Sequence, residues 1–167
     1  MLERSRRGRN DDEGFTLIEL VVVVLLIGIL IAIALPTFVG ARQRAQDRVA
    51  QSDLRHALAA ARTCFGDHAA YTWTTPAAGS CDHTTLRGIE PSITAVAGGT
   101  ASTTSSQAVS VAAADATHWG AARMSASGTC FTVTDISGGT GAGTFRSSGG
   151  ACTGTAAAAR SANDGSW

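Results

Sequence analysis

The chain opens with a polar segment and continues into a long apolar one. Residues 1–14 are polar and carry four arginines, whereas residues 15–35 are apolar apart from Thr16 and Glu19. As an α-helix the apolar segment would rise roughly 31 Å, close to the thickness of the hydrocarbon core of a bilayer. The pattern predicts a membrane-spanning helix. The arginines before it favour an N-terminus inside the cell, although further arginines follow the span.

A secretory signal peptide is the alternative interpretation of this segment. It would have an apolar region of about 7–15 residues followed by a small-residue cleavage site. Here the apolar region is longer, and Pro36-Thr37-Phe38 follows it.

A second helical pattern follows Pro36, which should kink the helix. Apolar residues recur at three- and four-residue steps, which predicts an amphipathic helix over residues 37–65 with Gly66 as its C-cap. The whole helix, residues 16–65, would be about 75 Å long. A coiled-coil dimer is a weaker alternative, because alanines are frequent and no leucine heptad is sustained. The stripe comprises Phe38, Ala41, Ala45, Val49, Leu54, Ala57, Leu58, Ala61 and Phe65.

The remainder is rich in Ala, Gly, Ser and Thr, a composition also found in disordered segments. Apolar residues nevertheless alternate in patches, which predicts strands. We expect a connecting loop with a possible turn of helix over residues 66–107 and a sheet region over 108–167. The fold class is then α+β, a long N-terminal helix packed against a small antiparallel sheet. The expected strands are 108–111, 119–124, 130–136 and 143–146, with Phe131, Val133 and Asp135 on one face and Thr132, Thr134 and Ile136 on the other.

Composition and motifs argue against an enzyme. The 13 basic residues balance the 13 acidic ones, so no overall field indicates direct nucleic-acid binding. Aromatic residues make up only 5% of the chain, too few for a deep apolar pocket. No G-x-S-x-G, P-loop or H-E-x-x-H motif is present, and Asp115, His118 and Ser125 form a triad only by selection from many serines. We expect no cofactor.

Glu19 is the one acid inside the apolar segment. A carboxylate at this depth costs on the order of a few kcal/mol and usually has a function. A cut after Gly14 would create an amine on Phe15, one helical turn away. Alternatively, the side chain reaches the interface by snorkelling.

The start of the apolar segment resembles the class III signal of type IV prepilins and pseudopilins. The resemblance implies that a membrane aspartyl protease cuts after Gly14 and N-methylates Phe15, releasing a leader of residues 1–14. It further implies that Glu19 pairs with a neighbouring subunit's N-terminal amine, and that Gly28 and Pro36 weaken the helix. The motif reads Gly14-Phe15-Thr16-Leu17-Ile18-Glu19-Leu20.

The same resemblance implies the partners and the location. The precursor would lie in the inner membrane through residues 15–36, among lipids, with residues 37–167 outside. Its partners would be copies of itself in a helical filament at the cell surface, the prepilin peptidase, the assembly platform and minor pilins. The alternatives are a pseudopilin of a secretion or DNA-uptake system, and an anchored binding protein that never polymerises.

Four cysteines lie beyond the span and allow three disulfide pairings. We favour Cys64–Cys81 and Cys130–Cys152, because each closes a loop of roughly 20 residues, worth about 3 kcal/mol. The second bridge also resembles the disulfide-bounded region of type IV pilins. Four free thiols are one alternative. A zinc site is another, built from Cys64, Asp67 and His68 together with Cys81, Asp82 and His83.

Overall fold

The computed structural model describes residues 14–74 and 77–160. Its contacts divide the chain into two compact units, Met1–Gly40 and Ala41–Trp167. Helix α1, Leu17–His68, belongs to both units and contains Pro36. The predicted leader, apart from Gly14, lies outside the described residues.

The described part of the first unit is the N-terminal part of α1 with the three residues before it. Every large apolar side chain from Phe15 to Val39 is exposed, by between 47% and 82% of its surface. Among the described residues, α1 is the one helix long and apolar enough to cross a membrane.

Helix α1 ends three residues later than predicted, at His68 rather than Phe65. The Ala69 amide donates to the Phe65 carbonyl at 2.7 Å, which completes the last turn. Ala69 then adopts a φ of 55° and reverses the chain. The prediction of Gly66 as the C-cap was therefore wrong. A left-handed residue is needed only at position 69, and an alanine supplies it here.

Two sheets follow in the second unit. Strands β1 and β2 form a short antiparallel pair, and β3 to β7 form a five-stranded sheet in sequential order. In this sheet β3 pairs parallel to β4, while the pairs from β4 to β7 are antiparallel. The elements are β1 Thr72–Trp73, β2 Gly79–Ser80, α2 His83–Ile89, β3 Ala95–Ala97, β4 Val109–Ala113, β5 His118–Met124, β6 Cys130–Ile136, β7 Gly143–Ser148 and α3 Gly154–Ala158.

The α+β layout and the four antiparallel strands are confirmed, and α2 is the turn of helix expected within residues 66–107, but the three strands in that region were not predicted. That region contains β1, β2, α2 and β3, and the parallel strand β3 makes the sheet mixed. The strands there have two or three residues, too few to show an alternating pattern. Helix α2 did carry a signal, because the Asp82 side chain caps it by accepting hydrogen bonds from the amides of Thr84 and Thr85.

One face of the large sheet packs against the C-terminal part of α1. Leu54, Ala57 and Ala61 are fully buried there, against a cluster that includes Trp119 and Val133. The indole of Trp119 is fully buried, and its Nε1 donates to the Cys81 carbonyl at 3.1 Å. The first buried residue of the predicted stripe is Leu54, although Ala50, which the stripe did not include, is buried as well. The earlier members of the stripe, Phe38, Ala41, Ala45 and Val49, are exposed.

The other face of the sheet is covered by the short helix α3, which the sequence analysis missed. The Thr134 hydroxyl donates to the Ala157 carbonyl at 2.7 Å, and the Gly154 amide donates to Ser110 Oγ at 2.9 Å. The backbones are so close that a Cβ on Gly120 would lie 2.2 Å from the Ala158 nitrogen. Strand β6 is consequently buried on both faces, with the predicted division of its side chains.

Both favoured disulfides are present. Cys64–Cys81 joins the last turn of α1 to the residue that follows β2, and Cys130–Cys152 joins the start of β6 to the segment before α3. Each bond therefore joins a helix, or its N-terminal lead-in, to another part of the head.

The close approach at Gly120 yields a prediction. Gly120→Ala should destabilise the head by about 2 kcal/mol, because the added methyl would overlap the α3 backbone. Gly66→Ala is the matched control. Its site on α1 is open, and alanine favours the helix by about 1 kcal/mol, so this variant should be at least as stable as wild type.

The measurement is urea unfolding of the full chain in detergent, followed by tryptophan fluorescence. A Gly120→Ala protein that unfolds at the wild-type urea concentration would contradict the packing described for α3.

Candidate processing and assembly site

The residues before α1 are exposed and lie outside regular structure. Gly14 and Phe15 precede the helix, and the Phe15 side chain is 82% exposed. A Cβ on Gly14 would meet no atom within 4 Å. The peptide bond between Gly14 and Phe15 is thus accessible, as cleavage by a protease requires.

Thr16 caps the helix that begins next to this bond. Its carbonyl accepts from the Leu20 amide at 3.2 Å, and its Oγ1 accepts from the Glu19 amide at 3.3 Å. A threonine in this position satisfies an amide that the first helical turn leaves without a backbone partner.

The Glu19 carboxylate has a local partner as well. Its Oε2 accepts from the Thr16 hydroxyl at 3.5 Å, an arrangement related to the Thr-x-x-Glu capping box. The acid thereby lies at the positive end of the helix dipole. The sequence analysis considered only a cation or snorkelling for Glu19 and missed Thr16. The sequence does contain a signal for this cap, since a threonine three residues before a glutamate and ahead of an apolar run is typical of a capping box.

The two positions expected to weaken the helix both lie within α1. Gly28 borders open space. Pro36 has no amide hydrogen and cannot donate to the carbonyl of Ala32. The neighbouring Thr37 hydroxyl donates to the Ala34 carbonyl at 2.8 Å, which adds one hydrogen bond beside the proline. That these positions stretch or melt during assembly stays a prediction.

A buried carboxylate attaches the C-terminal part of α1 to the sheet. Asp135 of β6 is only 6% exposed. It accepts from Arg62 Nη2 at 2.8 Å, from the Tyr71 hydroxyl at 2.5 Å and from Thr144 Oγ1 at 2.5 Å. Arg62 also contacts the Thr144 hydroxyl. The cluster therefore joins α1, β6, β7 and the residue before β1.

The same contacts set the protonation of the cluster. Burial opposes the charged form of Asp135, but the hydrogen bonds from Arg62, Thr144 and Tyr71 outweigh it, so its pKa lies below the ordinary value. Burial, followed by the hydrogen bond to Asp135, raises the pKa of Tyr71. The hydrogen bond to Asp135 raises the pKa of Arg62.

A second ion pair lies on the same face of the sheet. Arg123 of β5 is 5% exposed, and its Nε is 2.8 Å from Asp53 Oδ2 on α1. The same Nε donates to the Gln107 carbonyl at 3.0 Å. Burial lowers the pKa of Arg123, against the opposing effect of Asp53. The sequence analysis did not find this pair, because the two residues are far apart in the chain.

The zinc alternative is excluded by the disulfides. Cys64 and Cys81 bond to each other and cannot act as thiolate ligands. Over residues 14–74 and 77–160, no group of three His, Cys, Asp or Glu side chains could hold a metal ion. Two members of the triad considered above do form a pair, with 2.9 Å between His118 Nδ1 and Asp115 Oδ2. They lie in a turn, however, where Asp115 also accepts a hydrogen bond from the Thr117 amide.

Comparison with known families bears on the N-terminal segment. Residues 9–35 match the family model described as the prokaryotic N-terminal methylation motif. The N-terminal segment of the chain is therefore similar to a prepilin methylation motif. The match includes Gly14, Phe15 and Glu19, whose positions are described above.

A curated relative points to the same family. The chain is 39% identical over 69 residues to the type IV major pilin protein PilA of Myxococcus xanthus (strain DK1622). The aligned part is 41% of this chain and 31% of the relative, so it spans about a third of that protein's length. No solved structure matches the chain significantly.

The buried cluster predicts a change in acid stability. The pKa of Asp135 is lower in the folded head than in the unfolded chain, where it is about 4. The ionised carboxylate therefore stabilises the head fully above about pH 4, and this stabilisation is lost as the pH falls through the folded-state pKa. Asp135→Asn should cost about 2 kcal/mol at pH 7, because Arg62 keeps its charge without a partner in the sheet. Its stability should also fall less steeply than that of wild type below pH 4.

Urea unfolding between pH 7 and pH 2 measures both effects. Exposed Asp67 provides the control, since Asp67→Asn should stay within about 0.5 kcal/mol of wild type at pH 7. Equal stability of Asp135→Asn and wild type at pH 7 would show that the cluster does not hold α1 to the sheet.

Proposed function

We propose that this chain is a structural subunit of a type IV pilus-like filament. The observation that carries the proposal is the exposed apolar surface of α1 from Leu17 to Val39. The precursor waits in the membrane, is cut after Gly14, is methylated at Phe15 and enters the filament through this helix.

The exposed helix needs an apolar environment at every stage. At roughly 25 cal/mol per Å², leaving so many large side chains in water would be far more costly than folding can offset. Lipid covers them in the precursor, and neighbouring copies of the same helix cover them in the filament. Assembly moves the helix between two apolar environments, so most of its apolar surface stays out of water throughout.

Glu19 gives this transfer its register. In the filament its carboxylate would lie among apolar helices, where an unpaired charge is costly. Cleavage supplies the cation, because it creates an amine on Phe15. The Thr16 hydroxyl holds the carboxylate on the first turn, close in sequence to the position where an incoming amine would bind.

The head presents the surface that the filament shows to its surroundings. Its hold on α1 through Asp135, Arg123 and Cys64 keeps that surface fixed to the helix. A filament subunit requires such a fixed head, since the position of each helix then determines the position of each head.

A pseudopilin of a secretion or DNA-uptake system is the related alternative, and an anchored protein that never polymerises is the unrelated one. Long surface filaments seen by microscopy would favour the pilus subunit over the pseudopilin. The intact mass of protein sheared from the cell surface separates a processed subunit from the anchored protein. A filament subunit should have the mass of a chain that begins at a methylated Phe15. An anchored protein retains Met1–Gly14 and stays with the cells.

Processing is testable at Gly14. Gly14→Phe should leave the uncut precursor in the membrane, because the peptidase would have to accommodate a bulky side chain at a position where glycine has none. The Gly66→Ala variant, altered in the head half of α1, should be processed normally. Mass analysis of the membrane fraction measures both. A mature N-terminus at any residue other than Phe15 contradicts the proposed cut.

Assembly is testable at Glu19. Glu19→Ala removes the carboxylate but eases membrane insertion, so the subunit should accumulate in the membrane while filament yield falls at least tenfold. Glu19→Asp keeps the charge with a shorter reach and should be milder. Asp67→Ala removes an exposed acid of the head and should assemble normally.

The assay compares sheared filaments with the membrane pool for each variant. Normal filament yield from Glu19→Ala would mean that the acid has no part in assembly. Loss of the protein from the membrane would instead place its role in insertion or processing.

A further inference from the structure

The first charges beyond the apolar run of α1 are basic. Residues 20–41 carry no charged side chain, a stretch of about 33 Å along a helix. Arg42 and Arg44 follow at once, and Arg48 lies one helical turn beyond Arg44. All three side chains are exposed. We call Arg42, Arg44 and Arg48 the arginine collar.

The nearest acid in the sequence is directed to the head. Asp47 is the one acidic residue between positions 36 and 52. Its Oδ1 accepts from the Ser127 hydroxyl at 2.5 Å, in the turn between β5 and β6, and the residue is half-buried. The segment therefore keeps an excess of two positive charges, exposed at the end of the apolar run.

The spacing within the collar suits an anion. Arg44 and Arg48 are four residues apart, so their guanidinium groups are neighbours on the helix surface and repel each other. An anion between them would relieve the repulsion. A phosphate matches the guanidinium group especially well, because it can accept two parallel hydrogen bonds.

We propose that the arginine collar binds the headgroup phosphates of anionic phospholipids at the outer surface of the membrane. This inference rests on the proposed function, in which residues 15–36 span that membrane. Residues 37–41 carry no charge, so Arg42 lies about 9 Å along the helix beyond residue 36, within reach of the headgroups. The occupant is thus lipid while the subunit waits for assembly.

Binding of this kind explains why arginines follow the span on the outer side. Basic residues normally accumulate on the inner side, and the leader has four. Cleavage after Gly14 would remove those four and leave the collar as the basic cluster next to the span. Lipid phosphates would then hold the mature subunit at a fixed depth, and extraction into a filament would have to release them.

The test uses the full chain in phosphatidylcholine vesicles, with spin-labelled phosphatidylglycerol and phosphatidylcholine as probes. The fraction of each probe immobilised by the protein gives the headgroup preference. We expect wild type to prefer phosphatidylglycerol about tenfold at low salt. The preference should fall towards one at 1 M salt, where charges are screened beyond roughly 3 Å.

Three variants locate the preference. Arg42→Gln/Arg44→Gln/Arg48→Gln should lower it at least threefold. Arg6→Gln/Arg7→Gln/Arg9→Gln removes the same charge from the other side of the span and should lower it less. Arg87→Gln changes an exposed arginine of α2 and should leave it unchanged. Tryptophan fluorescence, to which the buried Trp119 contributes, reports that each head remains folded.

The outcomes separate this inference from the proposed function. If the protein immobilises no lipid at all, the helix does not span the membrane, and both the proposed function and the collar proposal fail. If wild type immobilises lipid without headgroup preference, or only the leader variant loses the preference, the collar proposal alone is overturned. It is also overturned if the collar variant keeps the lipid preference but loses chemical cross-linking between copies, because the occupant is then a second subunit.

Discussion

The constraint on which the rest of this protein depends is that the N-terminal part of α1 cannot remain in water. Its apolar side chains are exposed over more than twenty consecutive residues, and the same chain carries no second element that covers them within the described residues. A soluble domain would bury such a helix in its core. Here the helix needs an apolar environment outside its own chain, and charged side chains occur only at the two ends of the apolar run.

The head meets a different difficulty, since it has few large side chains with which to build a core. It compensates by close approach. Helix α3 lies on the sheet with backbone against backbone, which only glycines at positions 120 and 154 permit. On the opposite face, a few polar residues hold the sheet against α1, a role that large apolar side chains have in most proteins. Asp135 and Arg123 each have several partners, and they fix the sheet to α1.

The sequence was most informative where a pattern is long. The apolar run, the α+β class and the four antiparallel strands could be predicted, because each rests on periodicity over several residues. The short elements β1, β2, β3 and α3 could not, since strands of two or three residues have no period. The ion pair between Asp53 and Arg123 depends on tertiary contact between distant residues. At the candidate processing site, Gly14, Phe15 and Glu19 followed from a motif, but the Thr16 cap was overlooked although its signal is local.

The bond between Cys64 and Cys81 has a mechanical consequence. Cys64 lies in the last turn of α1, and Cys81 lies beyond the small β1–β2 sheet. Tension applied along α1 reaches Cys81 through this bond as well as through the backbone, and the ion pairs of Arg62 and Asp53 link α1 to the sheet besides. The bond holds the Cα atoms of Cys64 and Cys81 5.9 Å apart. A pull along α1 therefore cannot draw out the backbone between these two cysteines.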